Sequence, residues 1–172
     1  KTDVWILFSP VKKTPTEYII QKATELGVSK ILPLVTERTI TKSLNLKRLQ
    51  DIAIEASEQC ERITIPEIFP LQKLYDVIDK WGDKRTIYYA DETMRHEKQS
   101  TNNFNKLIKA PSGAILVGPE GGFTMKEKSY LKQKKFIIPI NFGQRILKSD
   151  TAVITGLVFW QTLNGDMKTI FK

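Results

Sequence analysis

Cysteine and histidine are almost missing from this 172-residue chain, which has one of each, Cys60 and His96. A lone cysteine excludes an internal disulfide and points to a reducing, cytoplasmic setting. His96 stands in a polar stretch and Cys60 on the apolar stripe of a helical pattern, so a Ser-His-Asp or Cys-His triad lacks its base. No cluster has metal-ligand spacing, and no metal is expected. Long apolar runs are missing too. The most apolar segment, Thr151 to Leu163, is too short to cross a bilayer, so no membrane partner is expected. There is no internal repeat, no low-complexity segment and no amino-terminal signal pattern. The chain opens at Lys1 without a methionine and enters its first strand almost at once, which reads as a piece of a longer protein.

Positive charge is in excess: 27 Lys and Arg against 19 Asp and Glu give a net charge of +8. Such a balance suits RNA, DNA or another anionic partner through phosphate neutralisation. Solubility alone explains it as well, since the lysines are scattered (Lys12, Lys13, Lys126, Lys128, Lys132, Lys134, Lys135). Hydrophobic residues make up 41%, enough for one domain with a real core.

Short apolar runs alternate with helical periods throughout. Val4–Phe8, Lys30–Val35, Thr86–Ala90, Ala114–Val117 and Phe136–Ile140 have strand length, with Pro33 weakening the second. Thr14, Pro15 and Glu17 form a capping-box start for a helix that Gly27 stops, and Asn45 caps another carrying Leu49, Ile52, Ala53, Ala56 and Cys60. Ile63–Ile68 reads as extended, Leu71–Ile78 and Phe104–Ile108 as short helices, and Asp91–Asn103 as a surface loop. Thr124 with Glu127 opens a further helix, and Ser149 or Asp150 the last one. The fold class is α/β, with a mostly parallel sheet covered on both faces. The final helix is apolar nearly all round through Val153, Ile154, Leu157, Val158, Phe159, Trp160 and Leu163, which suits a subunit interface better than a core this small.

Two strand ends empty into loops that expose backbone amides. The first is Gly118-Pro119-Glu120-Gly121-Gly122, the second Gly143-Gln144-Arg145-Ile146-Leu147-Lys148. A small-molecule pocket at the carboxyl edge of a parallel sheet is the expected product. The first loop lacks the Gly-Lys-Ser/Thr ending of a P-loop and the Rossmann spacing, and Glu120 is poorly placed for a pyrophosphate; a neutral or cationic ligand fits better. A structural tight turn is the plainer alternative. In the second loop Ile146 and Leu147 can wall a flat ring, while Arg145 and Lys148 offer a fork and a point charge. They could equally be a solvated pair at a helix entry.

The strings Gly118-Pro119-Glu120-Gly121-Gly122-Phe123 and Phe142-Gly143-Gln144-Arg145-Ile146-Leu147-Lys148-Ser149-Asp150-Thr151-Ala152 resemble the two signature loops of the RsmE family. That family comprises ribosomal RNA uracil-N3 methyltransferases of the SPOUT superfamily. Gln21-Lys22-Ala23-Thr24-Glu25-Leu26-Gly27-Val28 and Glu58-Gln59-Cys60-Glu61-Arg62 resemble its helical motifs, and the likeness covers essentially residues 1–172. Where the family usually has Leu, Arg, Thr and Glu in the second loop, this chain has Phe142, Lys148, Ser149 and Asp150. The family's amino-terminal PUA-like barrel has no counterpart here.

The resemblance implies a SPOUT domain over residues 1–172 with a deep trefoil knot around 113–165, and a homodimer through the last helix. It implies S-adenosylmethionine bound by Tyr89, Ala90, Val117, Gly118, Pro119, Glu120, Gly122, Ile140, Phe142, Gly143, Ile146 and Leu147. Arg145 and Lys148 would stabilise the developing uracil anion and contact RNA, joined by Gln21, Lys22, Gln59 and Arg62 on two helices. The partner would be 16S rRNA or the small ribosomal subunit. Glu120 and Asp150 are weak candidates for a base. A SPOUT enzyme acting on another base or a ribose 2′-hydroxyl, and a non-catalytic RNA-binding or assembly module, remain as alternatives.

Overall fold

The computed structural model describes residues 3–82, 85–96 and 111–171. Within them lies a sheet of seven strands, all paired in parallel: β1 (Asp3–Phe8), β2 (Lys30–Val35), β3 (Glu67–Ile68), β4 (Gln72–Lys73), β5 (Thr86–Ala90), β6 (Ser112–Val117) and β7 (Ile137–Ile140). The order is β3-β2-β1-β6-β5-β7, with β4 also on β2. Five helices accompany it among the described residues: α1 (Lys13–Glu25), α2 (Leu46–Gln59), α3 (Leu74–Asp79), α4 (Met125–Lys132) and α5 (Ser149–Asn164).

The apolar runs make central strands because both their faces are covered. Adjacent residues go to opposite cores: Tyr88 joins Ile6, Ile20, Ile115 and Leu157 beneath α1, α2 and α5, while Tyr89 joins Leu7, Leu74, Leu116 and Leu131 beneath α3 and α4. Pro33 sits inside β2 without disrupting it. Ile31 accepts outward from the Phe69 amide at 2.9 Å, and strand alternation turns the Pro33 nitrogen the same way. It falls between the two short partners, since β3 pairs at Lys30 and Ile31 and β4 at Leu34 and Val35. A missing donor there costs no ladder bond.

Several local expectations are corrected. Thr14 does not cap α1: the helix begins at Lys13 with Lys12 in the N-cap position and no side-chain cap, while the Val11 amide upstream donates to Thr16 Oγ1 at 3.1 Å. Neither Ser149 nor Asp150 caps α5, whose N-cap position is Lys148; the Ser149 hydroxyl points instead to the Gly118 carbonyl. Gln72 and Lys73 extend β2's edge before α3 begins, so the helix there is shorter than 71–78. Only Glu67 and Ile68 of the 63–68 segment are laddered. Cys60 ends α2 and is exposed rather than part of the core stripe. Asp91 is buried, not a loop surface residue, and its carboxylate caps a 3-10 turn at Glu92–Met94. The helix expected at 104–108 lies outside the described residues. Asn45 and the Thr124–Glu127 capping box stand as the sequence predicts.

Helix α5 buries Val153, Leu157 and Trp160 and leaves Val158 and Phe159 more than a third exposed. No described helix is long and apolar enough to cross a membrane.

Candidate functional site at the carboxyl edge of the sheet

Because every strand runs the same way, the loops after β1, β2, β5, β6 and β7 meet along one edge. The loops after β5, β6 and β7 enclose a cleft of about 420 Å³. Ala90, Val117, Gly118, Pro119, Glu120, Gly122, Ile140, Phe142, Gly143, Ile146 and Leu147 line it, as do Arg145 and Lys148 on its rim. Tyr89 does not line it. Its ring is fully buried on the opposite face of β5, stacked edge-on against Phe123 at 5.7 Å between centroids.

Hydrogen bonds hold the loops in place. The Gly122 amide closes a turn on the Pro119 carbonyl at 2.8 Å, and Gly122 takes φ 71°, a conformation open to glycine. Gly143, at φ 98°, donates to Asn141 Oδ1 at 2.8 Å, while Asn141 Nδ2 reaches the Met94 carbonyl at 3.0 Å and so ties the β7 loop to the β5 loop. The fully buried Glu127 carboxylate accepts from the Thr124 amide at 2.9 Å and the Glu37 amide at 2.7 Å, anchoring the β6 loop to the β2 loop. Arg38 donates to the Gly121 carbonyl from the same side. Hydrogen bonding by Thr124 and then by Tyr75, with Lys126 nearby, holds the Glu37 carboxyl below the usual range despite some desolvation.

Sequence reasoning missed Asp91, Glu92, Phe123, Lys128, Asn141, Ser149 and Ala152, which also line the cleft. Asp91 matters most. It is 2% exposed; its Oδ1 accepts from the Thr93 amide at 3.1 Å and hydroxyl at 2.6 Å, whereas its buried Oδ2 has no hydrogen-bond partner among the described residues. Burial alone would raise its pKa, but the Thr93 bonds, the nearby Tyr89 hydroxyl and the Lys128 charge 4.0 Å away outweigh that and keep it low. The Tyr89 hydroxyl neighbours this carboxylate without a bond of good geometry, and burial drives its own pKa up. Asp91 could have been found as the residue directly after β5. Lys128 carries no comparable signal, since only folding brings it across from α4.

The residues expected to hold RNA on two helices are not at the cleft. Gln21 and Gln59 line a groove between α1 and α2 together with Glu17, Glu55 and Glu58. Lys22 pairs with Glu25 at 2.9 Å. Arg62 turns inward, donating to the Thr24 carbonyl at 2.7 Å, to the Val28 carbonyl and to Thr64 Oγ1 at 3.2 Å. Of the two candidate bases, Glu120 lines the cleft, and Asp150 faces the α1 side with Thr14 and Tyr18. Among the described residues no group of acidic, cysteine or histidine side chains could hold a metal ion.

The chemistry of the cleft is specific. Leu147, Ile140 and Val117 make apolar walls, glycine loops offer backbone groups, and a buried carboxylate with an unused oxygen favours a ligand bearing hydroxyls or positive charge.

The sequence pattern of the RNA methyltransferase domain family matches residues 1–161. A ribosomal RNA small subunit methyltransferase E from Rickettsia conorii is 35% identical over 173 aligned residues, covering 99% of this chain and 68% of that protein. One from Buchnera aphidicola of Schizaphis graminum is 36% identical, covering 91% of this chain and 63% of that protein. The crystal structure of the Neisseria gonorrhoeae enzyme bound to S-adenosyl methionine superposes with a TM-score of 0.82 at 26% identity, over 94% of this chain and 66% of that one. This chain thus spans roughly two-thirds of these relatives' length.

Proposed function

The chain belongs to the ribosomal RNA small subunit methyltransferase E family, and on that premise we propose that it methylates N3 of a uridine in 16S rRNA with S-adenosylmethionine as donor. The observation that carries this reading is the cleft itself. Two glycine loops and the buried Asp91 carboxylate meet at the sheet's carboxyl edge, with two cations on the rim. When bound, S-adenosylmethionine supplies an electrophilic methyl group on a sulfonium centre.

Asp91 would accept hydrogen bonds or offset positive charge from that ligand, and its low pKa keeps it anionic for the task. Val117, Ile140 and Leu147 would hold the adenine in place of water. Uracil N3 must lose its proton before its lone pair can take the methyl. Arg145 and Lys148 would stabilise the negative charge that spreads over the uracil carbonyls, a contribution of about 3 kcal/mol for one well-placed donor. Glu120 and Glu92 both line the cleft, and Glu120 would receive the N3 proton. The Tyr89 hydroxyl, beside Asp91, would help to keep that carboxyl ionised.

The same proposal includes one SPOUT domain over residues 1–172, a trefoil knot around 113–165, and cytoplasmic work on the small subunit. It also includes a homodimer built on the Ile154, Val158 and Phe159 face of α5. Phe159→Lys should then convert a dimer to monomers in light scattering.

Titration calorimetry with S-adenosylmethionine tests the core of the reading: one saturable site per chain is expected, and no binding by folded protein would overturn it. Mapping the methylated atom on 16S rRNA should give uridine N3. Arg145→Ala should lower turnover by about 100-fold; unchanged turnover would remove Arg145 from its role.

A further inference from the structure

The helical face expected to hold RNA has spent its charge. Lys22 is paired with Glu25, Arg48 with Glu17, Arg62 is turned onto backbone carbonyls, and Glu55 and Glu58 flank the groove. A phosphate backbone would meet repulsion there.

The opposite holds at the carboxyl edge beyond the cleft, where β1 and β2 end. The loop after β1 (residues 9–12) and the loop after β2 (residues 36–45) are stitched to each other and to the glycine loop. Ser9 Oγ and Thr39 Oγ1 share a hydrogen bond at 2.6 Å, Thr41 Oγ1 donates to the Val11 carbonyl at 2.9 Å, the Ser9 amide donates to the Val117 carbonyl at 3.1 Å, and Arg38 bonds Gly121. The result is one stiff ledge continuous with the cleft rim.

Lys12, Lys13, Arg38 and Lys42 are all exposed on it, and none makes an ion pair among the described residues. Its one carboxylate, Glu37, is already taken by Thr124, Tyr75 and Lys126. Lys12 and Lys13 also stand at the amino end of α1, whose first turn has no acidic residue. Concentrating cations there opposes the helix dipole, a cost that a bound polyanion would reverse. At the tip of the second loop Ile40 is 91% exposed, an apolar contact for an unstacked base.

We propose that the RNA strand leading to the cleft runs along this ledge, with its phosphates against Lys12, Lys13, Arg38 and Lys42 rather than along α1 and α2. The proposal rests on the functional reading above and names the path its RNA takes. A rigid ledge loses little entropy on binding, and each phosphate neutralised adds about 0.7–0.9 to the salt slope.

The test compares binding of in vitro transcribed 16S rRNA across a salt series for the wild type, a Lys12→Gln/Lys13→Gln/Lys42→Gln variant and a Gln21→Ala/Lys22→Gln variant. S-adenosylmethionine affinity is measured for each. The ledge variant should bind RNA at least 10-fold more weakly, with a salt slope shallower by about 2–3. It should keep wild-type S-adenosylmethionine affinity, and the helix variant should match wild type. Wild-type RNA binding in the ledge variant, or loss confined to the helix variant, would overturn the ledge while leaving the methyltransferase reading standing. A wild type that binds S-adenosylmethionine but no RNA at any salt would overturn the RNA substrate itself and the ledge with it.

Discussion

Ser149 Oγ donates a hydrogen bond to the carbonyl oxygen of Gly118 at 3.1 Å, clasping the loop after β7 to the loop after β6 from the first turn of α5. The clasp links two residues 31 apart in sequence across the floor of the cleft. Ser149→Ala should remove about 1 kcal/mol, the net worth of such a bond. S-adenosylmethionine affinity should fall about fivefold in calorimetry, with the fold intact by circular dichroism. Unchanged affinity would show that the loops hold without it.

Asp91 couples the cleft to acid stability. Its folded pKa lies below the ordinary carboxylate value, so its stabilising contribution is complete above about pH 4 and is lost as pH falls through the lowered folded value. Asp91→Asn should flatten this part of the pH dependence of the urea midpoint and weaken S-adenosylmethionine binding. A variant whose acid limb follows that of the wild type would show that the carboxylate is not held as described.

Glu127 is the hidden anchor of the glycine loop. Glu127→Ala leaves the Thr124 and Glu37 amides without their acceptor, so about 2–4 kcal/mol of unfolding free energy should disappear in denaturant titrations. A loss under 1 kcal/mol would mean that water replaces the carboxylate freely.

Gly122 and Gly143 both have positive φ, which alanine adopts at about 1–2 kcal/mol. A Cβ at Gly143 would meet open space, and at Gly122 it would lie 2.8 Å from Glu92 Oε1, the far end of an exposed and flexible side chain that can swing away. Gly122→Ala and Gly143→Ala should therefore destabilise the fold by similar amounts in denaturant titrations; a clearly larger loss at Gly122 would mean that Glu92 is held in place.

Arg62 is a brace, on the structure's geometry. Arg62→Ala should destabilise the domain by about 2–3 kcal/mol, since the Thr24 and Val28 carbonyls lose a charged donor. The salt slope of RNA binding should stay at its wild-type value. A shallower slope in a variant of undiminished stability would return Arg62 to the RNA surface.

By itself the sequence determined the elements and the address of the site. Short apolar runs marked the central strands and a 3.6-residue period the long helices, and a parallel sheet forces the Gly118 and Gly143 loops to one edge. Those signals are local, so they survive in a linear reading. Tertiary structure alone decided where side chains end up. Thr14 became the second residue of α1 with no capping bond, and the Thr16 hydroxyl accepts from the upstream Val11 amide. Cys60 fell just past the last buried turn of α2. Lys128 reached Asp91 from another helix, Arg62 turned inward, and the ledge of Lys12, Arg38 and Lys42 was assembled from separate loops. Charge can be counted along a chain, but whether a cation is paired, buried or free for a phosphate depends on neighbours that only folding supplies.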